Sequence, residues 1–162
     1  MLFGVGCDLC EVARMEKSLF GAHGAAFEAR VFGTGERQAL ALAECRADPS
    51  ARRCTHRAAS AAADFAAKEA FLKAAGTGLR EPFSLCEIEV LRLPSGAPVY
   101  RFSGRTAAWV EEHHVTARLS LSHDGGMALA FCVLEQTETC SAPLHKMEES
   151  PRVHTAARHS PY

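Results

Sequence analysis

The stretch that constrains this chain most is Phe65-Ala66-Ala67-Lys68-Glu69-Ala70-Phe71-Leu72-Lys73-Ala74-Ala75-Gly76-Thr77-Gly78. Its alanines, with Phe, Leu, Lys and Glu and no Pro or Gly before Gly76, predict a strong helix. Gly76 and Gly78 predict where it stops, since Gly lets the chain leave a helix in a left-handed conformation. Glu69 and Lys73 stand four residues apart, so their side chains lie one turn apart on the same face, with Phe65 and Leu72 beside them. A carboxylate and an ammonium on a largely apolar face are costly to bury without a partner or a purpose. A solvated surface ion pair would explain them equally well on this helix alone. The rest of the chain has to decide.

The 162 residues are the length of one domain with one core. No apolar run approaches the about 20 residues that a membrane-spanning helix requires. Met1 to Gly6 lacks the basic and apolar regions of a signal peptide, so the chain reads as cytoplasmic. The seven Cys are odd in number and scattered, which suits packing thiols in a reducing compartment rather than a disulfide framework. Cys7-x-x-Cys10 has no second pair or nearby His to complete four zinc ligands. A formal net charge of −1 excludes a globally basic nucleic-acid binder. Attraction for an acidic partner would need a local patch.

In chain order, Leu2 to Cys7 predicts a short buried strand with Asp8 at its end, where ligand groups commonly sit; a helix N-cap is the plainer reading of Asp8. Leu9, Val12, Met15 and Leu19 give a helix with Arg14 and Lys17 outward. A helical turn over Phe27 to Val31 and a helix from Glu36 to Cys45 follow. Ala47 to Ser50, with Arg52 and Arg53, reads as a loop, and the central helix as running from about Arg57 to Ala75. Glu87 to Arg92 and Val99 to Phe102 alternate as two strands around a Pro-x-Gly turn. Thr106 to His114 reads as a helix anchored by Trp109, Leu119 to Ser122 and Met127 to Leu134 as strands joined by His123 to Gly126. Hairpins with segregated helices predict an α+β fold, an antiparallel sheet with a long central helix. Residues 1–135 form the domain. Residues 136–162, poor in apolar side chains, read as a flexible tail.

Three marks in order carry a resemblance: Gly6-Cys7-Asp8 after the first strand, the Phe65 to Gly78 run, and Ser120-Leu121-Ser122-His123-Asp124 at a strand end. Together they resemble the holo-[acyl-carrier-protein] synthases, the short 4′-phosphopantetheinyl transferases, over Met1 to about Glu135. The resemblance implies transfer of 4′-phosphopantetheine from coenzyme A to a serine of an acyl carrier protein in fatty-acid and lipid biosynthesis, releasing adenosine 3′,5′-bisphosphate. It implies Mg²⁺ held by Asp8 and Glu69, and a homotrimer with cofactor sites between protomers. Two departures stand out. Gly33 replaces the usual Thr of a helix cap, and Asp64 replaces an Arg often found before the Phe. If that Arg helps hold a cofactor phosphate, Arg57 or Arg53 must replace it.

The chemistry suits these residues. A pyrophosphate needs a divalent cation and fixed positive groups, and Mg²⁺ takes one or two carboxylates with phosphate oxygens and water. Lys73 can reach a phosphate as a point charge. Gly76-Thr77-Gly78 can offer backbone amides or let the ligand pass closely. By the resemblance His123 lies beside the cofactor phosphates; a turn histidine capped by Asp124 is the alternative. Ser122 can bond a phosphate oxygen, and Lys68 either touches the cofactor or supports the site from its flank. The general base is left among Glu69, Asp8 through a water on the metal, and His123, with a carboxylate-held water or Glu69 itself favoured. By the same resemblance Arg14 is the expected contact with the acidic helix of the carrier protein, and Lys17, Arg30 and Arg37 would extend its patch. A cofactor-binding regulator without catalysis and a plain interaction module are the other classes weighed; neither explains Asp8, Glu69, Lys73 and His123 together as well.

Overall fold

The computed structural model of the chain describes residues 1–41 and 52–137. Among the described residues ten elements of regular structure follow one another, with a short 3₁₀ turn at Leu85–Glu87. They are β1 (Leu2–Glu11), α1 (Val12–Phe20), α2 (Gly24–Val31), α3 (Thr34–Leu40), α4 (Arg52–Ala74), β2 (Ile88–Arg92), β3 (Pro98–Phe102), α5 (Gly104–Glu112), β4 (Val115–Asp124) and β5 (Met127–Gln136). β1, β5 and β4 make an antiparallel sheet with β5 in the middle, and β2 and β3 a separate hairpin. The α+β class with one long central helix is what the patterning predicts.

The helix α4 lies across one face of the sheet, and its small side chains bring it close. Ala58, Ala61, Ala62, Ala66, Ala67 and Ala70 have no exposed surface. Gly4 and Gly6 of β1 meet this helix directly. A Cβ on Gly6 would overlap the Ala70 carbonyl and sit 2.7 Å from the Ala74 nitrogen. The facing row of β5, Ala128, Ala130, Cys132 and Leu134, is wholly buried. Phe71, also wholly buried, centres an aromatic cluster with Phe83, Tyr100, Phe102 and Trp109.

Several boundaries differ from the sequence expectation. β1 continues past Cys7 to Glu11 because β5 pairs with it to Met127. Asp8 therefore lies inside the strand, opposite Ala130, and the N-cap of α1 is Glu11. β4 likewise includes His123 and Asp124, leaving Gly125 and Gly126, both with positive φ, as the turn. The central helix begins at Arg52, not Arg57. α3 ends at Leu40, and the expected loop at Ala47 to Ser50 falls outside the described residues.

Gly33 has a local explanation. It is the N-cap of α3, and the Glu36 carboxylate accepts its N–H at 2.9 Å, half of a capping box. The other half, a cap side chain, has no room: a Cβ at residue 33 would lie 2.6 Å from the Glu89 carboxyl carbon. Glu89 of β2 takes over that role by accepting the Gly35 N–H at 2.7 Å, and Arg101 of β3 holds its other oxygen at 2.6 Å. The helix start is capped by the hairpin instead of by its own residue.

Candidate active site

Between Ala61 and Ala74 every residue of α4 is buried except Phe65, Glu69 and Lys73. Their spacing of four puts them in one stripe, and Phe65 and Glu69 of that stripe face an opening between α4, α1 and the end of β1. A cleft of about 500 Å³ there is lined by Asp8, Cys10, Arg14, Phe27, Phe65 and Glu69, among others. Asp8 reaches the cleft because Gly6 lets β1 lie against α4 two residues earlier. Lys73 donates from Nζ to Asp8 Oδ1 at 2.7 Å and to the Cys7 carbonyl at 3.0 Å. Its side chain is 53% exposed, that of Asp8 19%.

The electrostatics of the two carboxylates are linked. Burial, then the charge of Asp8, pushes the Glu69 carboxyl above its usual range, and Lys73 opposes the shift. The hydrogen bond to Asp8 holds the Lys73 ammonium above its usual value. Two carboxylates feel one another across a half-buried cleft with one ammonium beside them, so the cleft favours added positive charge. Among the described residues no three His, Cys, Asp or Glu side chains are grouped to cage a metal. Asp8 and Glu69 alone match a Mg²⁺ ion that also draws on phosphate oxygens and water.

The other expected residues divide. Arg14 lines the cleft, and Lys17 lines the groove beside it along α1. Arg30 borders a mainly apolar cleft of about 540 Å³ that shares Phe27, Phe65 and Glu69 with the first. Arg37 lines a different cavity with Arg101, so the four cations do not form one patch. Phe27 and Cys10 are cleft residues that sequence reasoning missed. Cys10 was legible only by alternation from Asp8 once the strand was known to continue.

Lys68 requires a correction. It is wholly buried, turned away from the cleft stripe by about 100° round the helix. Its ammonium donates to Glu36 Oε2 at 2.7 Å, to the Leu85 carbonyl at 3.0 Å and to the Ile88 carbonyl. Those three acceptors use its three donors, so it joins α4 to α3 and β2 and has none left for a ligand. Glu36 also accepts the Val90 N–H at 2.8 Å. The amides of Gly76-Thr77-Gly78, expected to meet phosphate, are bonded within the chain instead. Their N–H groups close the helix, Gly76 onto the Lys73 carbonyl at 3.0 Å and Thr77 and Gly78 onto that of Leu72 at 3.3 Å each. What the glycines do provide is space, since a Cβ on either would meet nothing within 4 Å.

Asp64, where the resemblance leads one to expect Arg, is buried and pairs with Arg92 of β2 at 2.7 Å. Arg57 donates to the Leu40 and Ala41 carbonyls at 2.9 Å each, closing the end of α3. The Arg53 side chain lies outside the described residues. Ser122 and His123 are exposed near the end of β4. His123 pairs with Ala128, which pairs with Cys10, so it shares the sheet face of Asp8; Ser122, one residue earlier, faces the other way. Neither lines the Asp8 and Glu69 cleft of its own chain.

A mixed fold with a carboxylate pair and a lysine where the strand meets the helix defines a class of phosphate-handling enzyme more closely than the helix run alone. The model of the 4′-phosphopantetheinyl transferase superfamily matches residues 4–132. A holo-[acyl-carrier-protein] synthase of Methylobacterium sp. (strain 4-46) is 41% identical, over 86% of this chain and 100% of its own length. That of Cupriavidus pinatubonensis is 37% identical over 88% of this chain and 97% of its own length. Among solved structures, the holo-[acyl-carrier-protein] synthase of Neisseria meningitidis superposes with a TM-score of 0.67 at 30% identity, covering 84% of this chain and all of that one. The Bacillus anthracis enzyme, solved in complex with CoA (3′,5′-ADP), gives 0.63 at 31% identity, covering 85% of this chain and 99% of that one. The chain belongs to the 4′-phosphopantetheinyl transferase superfamily and, within it, to the holo-[acyl-carrier-protein] synthase enzymes.

Proposed function

We propose that this chain transfers 4′-phosphopantetheine from coenzyme A to a serine of an acyl carrier protein, with Mg²⁺, and releases adenosine 3′,5′-bisphosphate. The observation that carries the reading is that Asp8 and Glu69 line one cleft and Lys73 is bonded to Asp8 at its edge. Asp8 and Glu69 would hold the cation, whose chemistry is to neutralise charge on the pyrophosphate. Lys73 orients a phosphate oxygen. The serine oxygen attacks the β-phosphorus while the bond from that phosphorus to the bridging oxygen breaks, leaving the bisphosphate. The serine proton would pass to Glu69 itself or to a water that the carboxylates hold. Arg14, on the rim, would meet the acidic face of the carrier.

A homotrimer fits the outer face of the sheet. Val5, Leu9, Leu129 and Phe131 stand there 39–60% exposed, an apolar surface of the kind that marks an interface. A neighbouring copy packed on it would bring His123 or Ser122 to a cleft that their own chain does not complete. We place the reaction in the cytoplasm, in fatty-acid and lipid biosynthesis, and the catalytic unit in residues 1–135.

The deciding assay is the mass gain of candidate carrier proteins incubated with coenzyme A and Mg²⁺. Asp8→Ala and Glu69→Gln should abolish the gain in proteins that remain folded. Transfer near the wild-type rate in either variant would sink the assignment of that carboxylate. Arg14→Glu should raise the apparent KM for the carrier, less so at high salt, with that for coenzyme A unchanged. A chain ending at Thr137 should keep full activity.

A further inference from the structure

Lys73 and the cation assigned to Asp8 have claims on the same oxygens. The ammonium sits 2.7 Å from Asp8 Oδ1 and is anchored a second time by the Cys7 carbonyl at 3.0 Å. A divalent ion entering between Asp8 and Glu69 would meet that charge at close range in a half-buried cleft, where repulsion is stronger than in bulk water. Lys73 has somewhere else to go. Its long side chain is more than half exposed, so turning away from Asp8 leaves no ammonium stranded in the core. One turn further on, Gly76 and Gly78 leave open space beside it, room for an anionic phosphate.

We propose that Lys73 is an internal cation that competes with the divalent ion for Asp8, and that the phosphates of coenzyme A draw it off. This rests on the reading of Asp8 and Glu69 as cation ligands given above. Lys73 then does more than bind phosphate. It keeps the carboxylates from holding the metal tightly until the donor substrate arrives, and so couples the two binding events. Linkage requires the coupling to be equal from both sides: coenzyme A tightens the metal by the factor by which the metal tightens coenzyme A.

Mn²⁺ serves as the probe, its free fraction read by electron paramagnetic resonance with the full-length chain and no carrier protein, so that no turnover occurs. Lys73→Met should bind Mn²⁺ without coenzyme A about tenfold more tightly than the wild type, and show a smaller coupling factor. Lys73→Arg, which keeps the charge, should bind Mn²⁺ as weakly as the wild type. An unchanged or weaker Mn²⁺ affinity in Lys73→Met overturns the proposal, and so does an equal gain in Lys73→Arg, which would make the effect one of shape. Asp8→Asn separates the two readings. It should lose Mn²⁺ binding, and wild-type affinity there would overturn the assignment of Asp8 itself.

Discussion

Gly6 of β1 lies against the backbone of Ala70 in α4 so closely that no side chain fits between them. This contact places Asp8, two residues on, within reach of Lys73. Gly6→Ala should therefore push the strand off the helix. Overpacking of this kind costs about 1–3 kcal/mol, and the displacement of Asp8 should lower transfer more than the stability loss alone. Urea unfolding and transfer assays on one preparation check both. A variant unchanged in both would show that the strand and helix can separate without cost.

Lys68 and Glu36 form a buried ion pair with no exposed side-chain surface on either partner. Removing the ammonium leaves an uncompensated buried carboxylate, so Lys68→Met should destabilise the fold by about 3–5 kcal/mol. The double change Lys68→Met with Glu36→Gln should recover part of that loss. The KM for coenzyme A of whatever protein remains folded should be unaltered. A stable Lys68→Met protein with weakened coenzyme A binding would return Lys68 to the ligand.

Capping of α3 from the hairpin gives a paired test. Glu89→Ala removes the acceptor for the Gly35 N–H and should cost about 1–2 kcal/mol, as a lost cap does. Gly33→Thr should also destabilise, because its side chain would enter the space of Glu89. Both together should be milder than their sum, the new threonine capping where the glutamate was. Additive losses in a double-mutant cycle would show the two sites to be uncoupled.

Burial raises the Asp64 carboxyl to about 6, against the pull of Arg92 and Lys68. Its unfolded value is about 3.9, so between these values the folded chain binds more protons than the unfolded one. The contribution is fully present below about pH 4 and is lost as pH rises through about 6. Asp64→Asn should flatten that fall, gaining stability relative to the wild type at pH 8 compared with pH 4. Urea midpoints measured across this range check it, and parallel curves for the two proteins would contradict it.

The helix from Phe65 to Ala74 and its glycine stop were legible because side-chain periodicity and backbone freedom are local properties. Periodicity also put Glu69 and Lys73 on one helix face, but it was the resemblance carried by the three motifs in order that singled them out together with Asp8. Lys68 could not be separated from them, since a lysine next to a site glutamate looks the same whether its side chain turns inward or outward. Here position 68 falls on the packed side of α4, where Glu36 awaits it thirty-two residues earlier in the chain. The ends of β1 and β4 were misjudged for a related reason. Strand length is set by the partner, and β5 offers pairing beyond Cys7 and beyond Ser122.

The sequence by itself determined the kinds and order of the elements, the glycine stop of the central helix, and the residue types needed to hold a cation beside a phosphate. Only the tertiary structure decided which of those charges share a cleft. It joined Lys73 to Asp8 across sixty-five residues and spent the amides of Gly76, Thr77 and Gly78 on the helix end. It also handed the cap of α3 to Glu89. Each of these is a pairing between distant segments, and hydrogen bonds of that kind follow from packing geometry that no local pattern encodes.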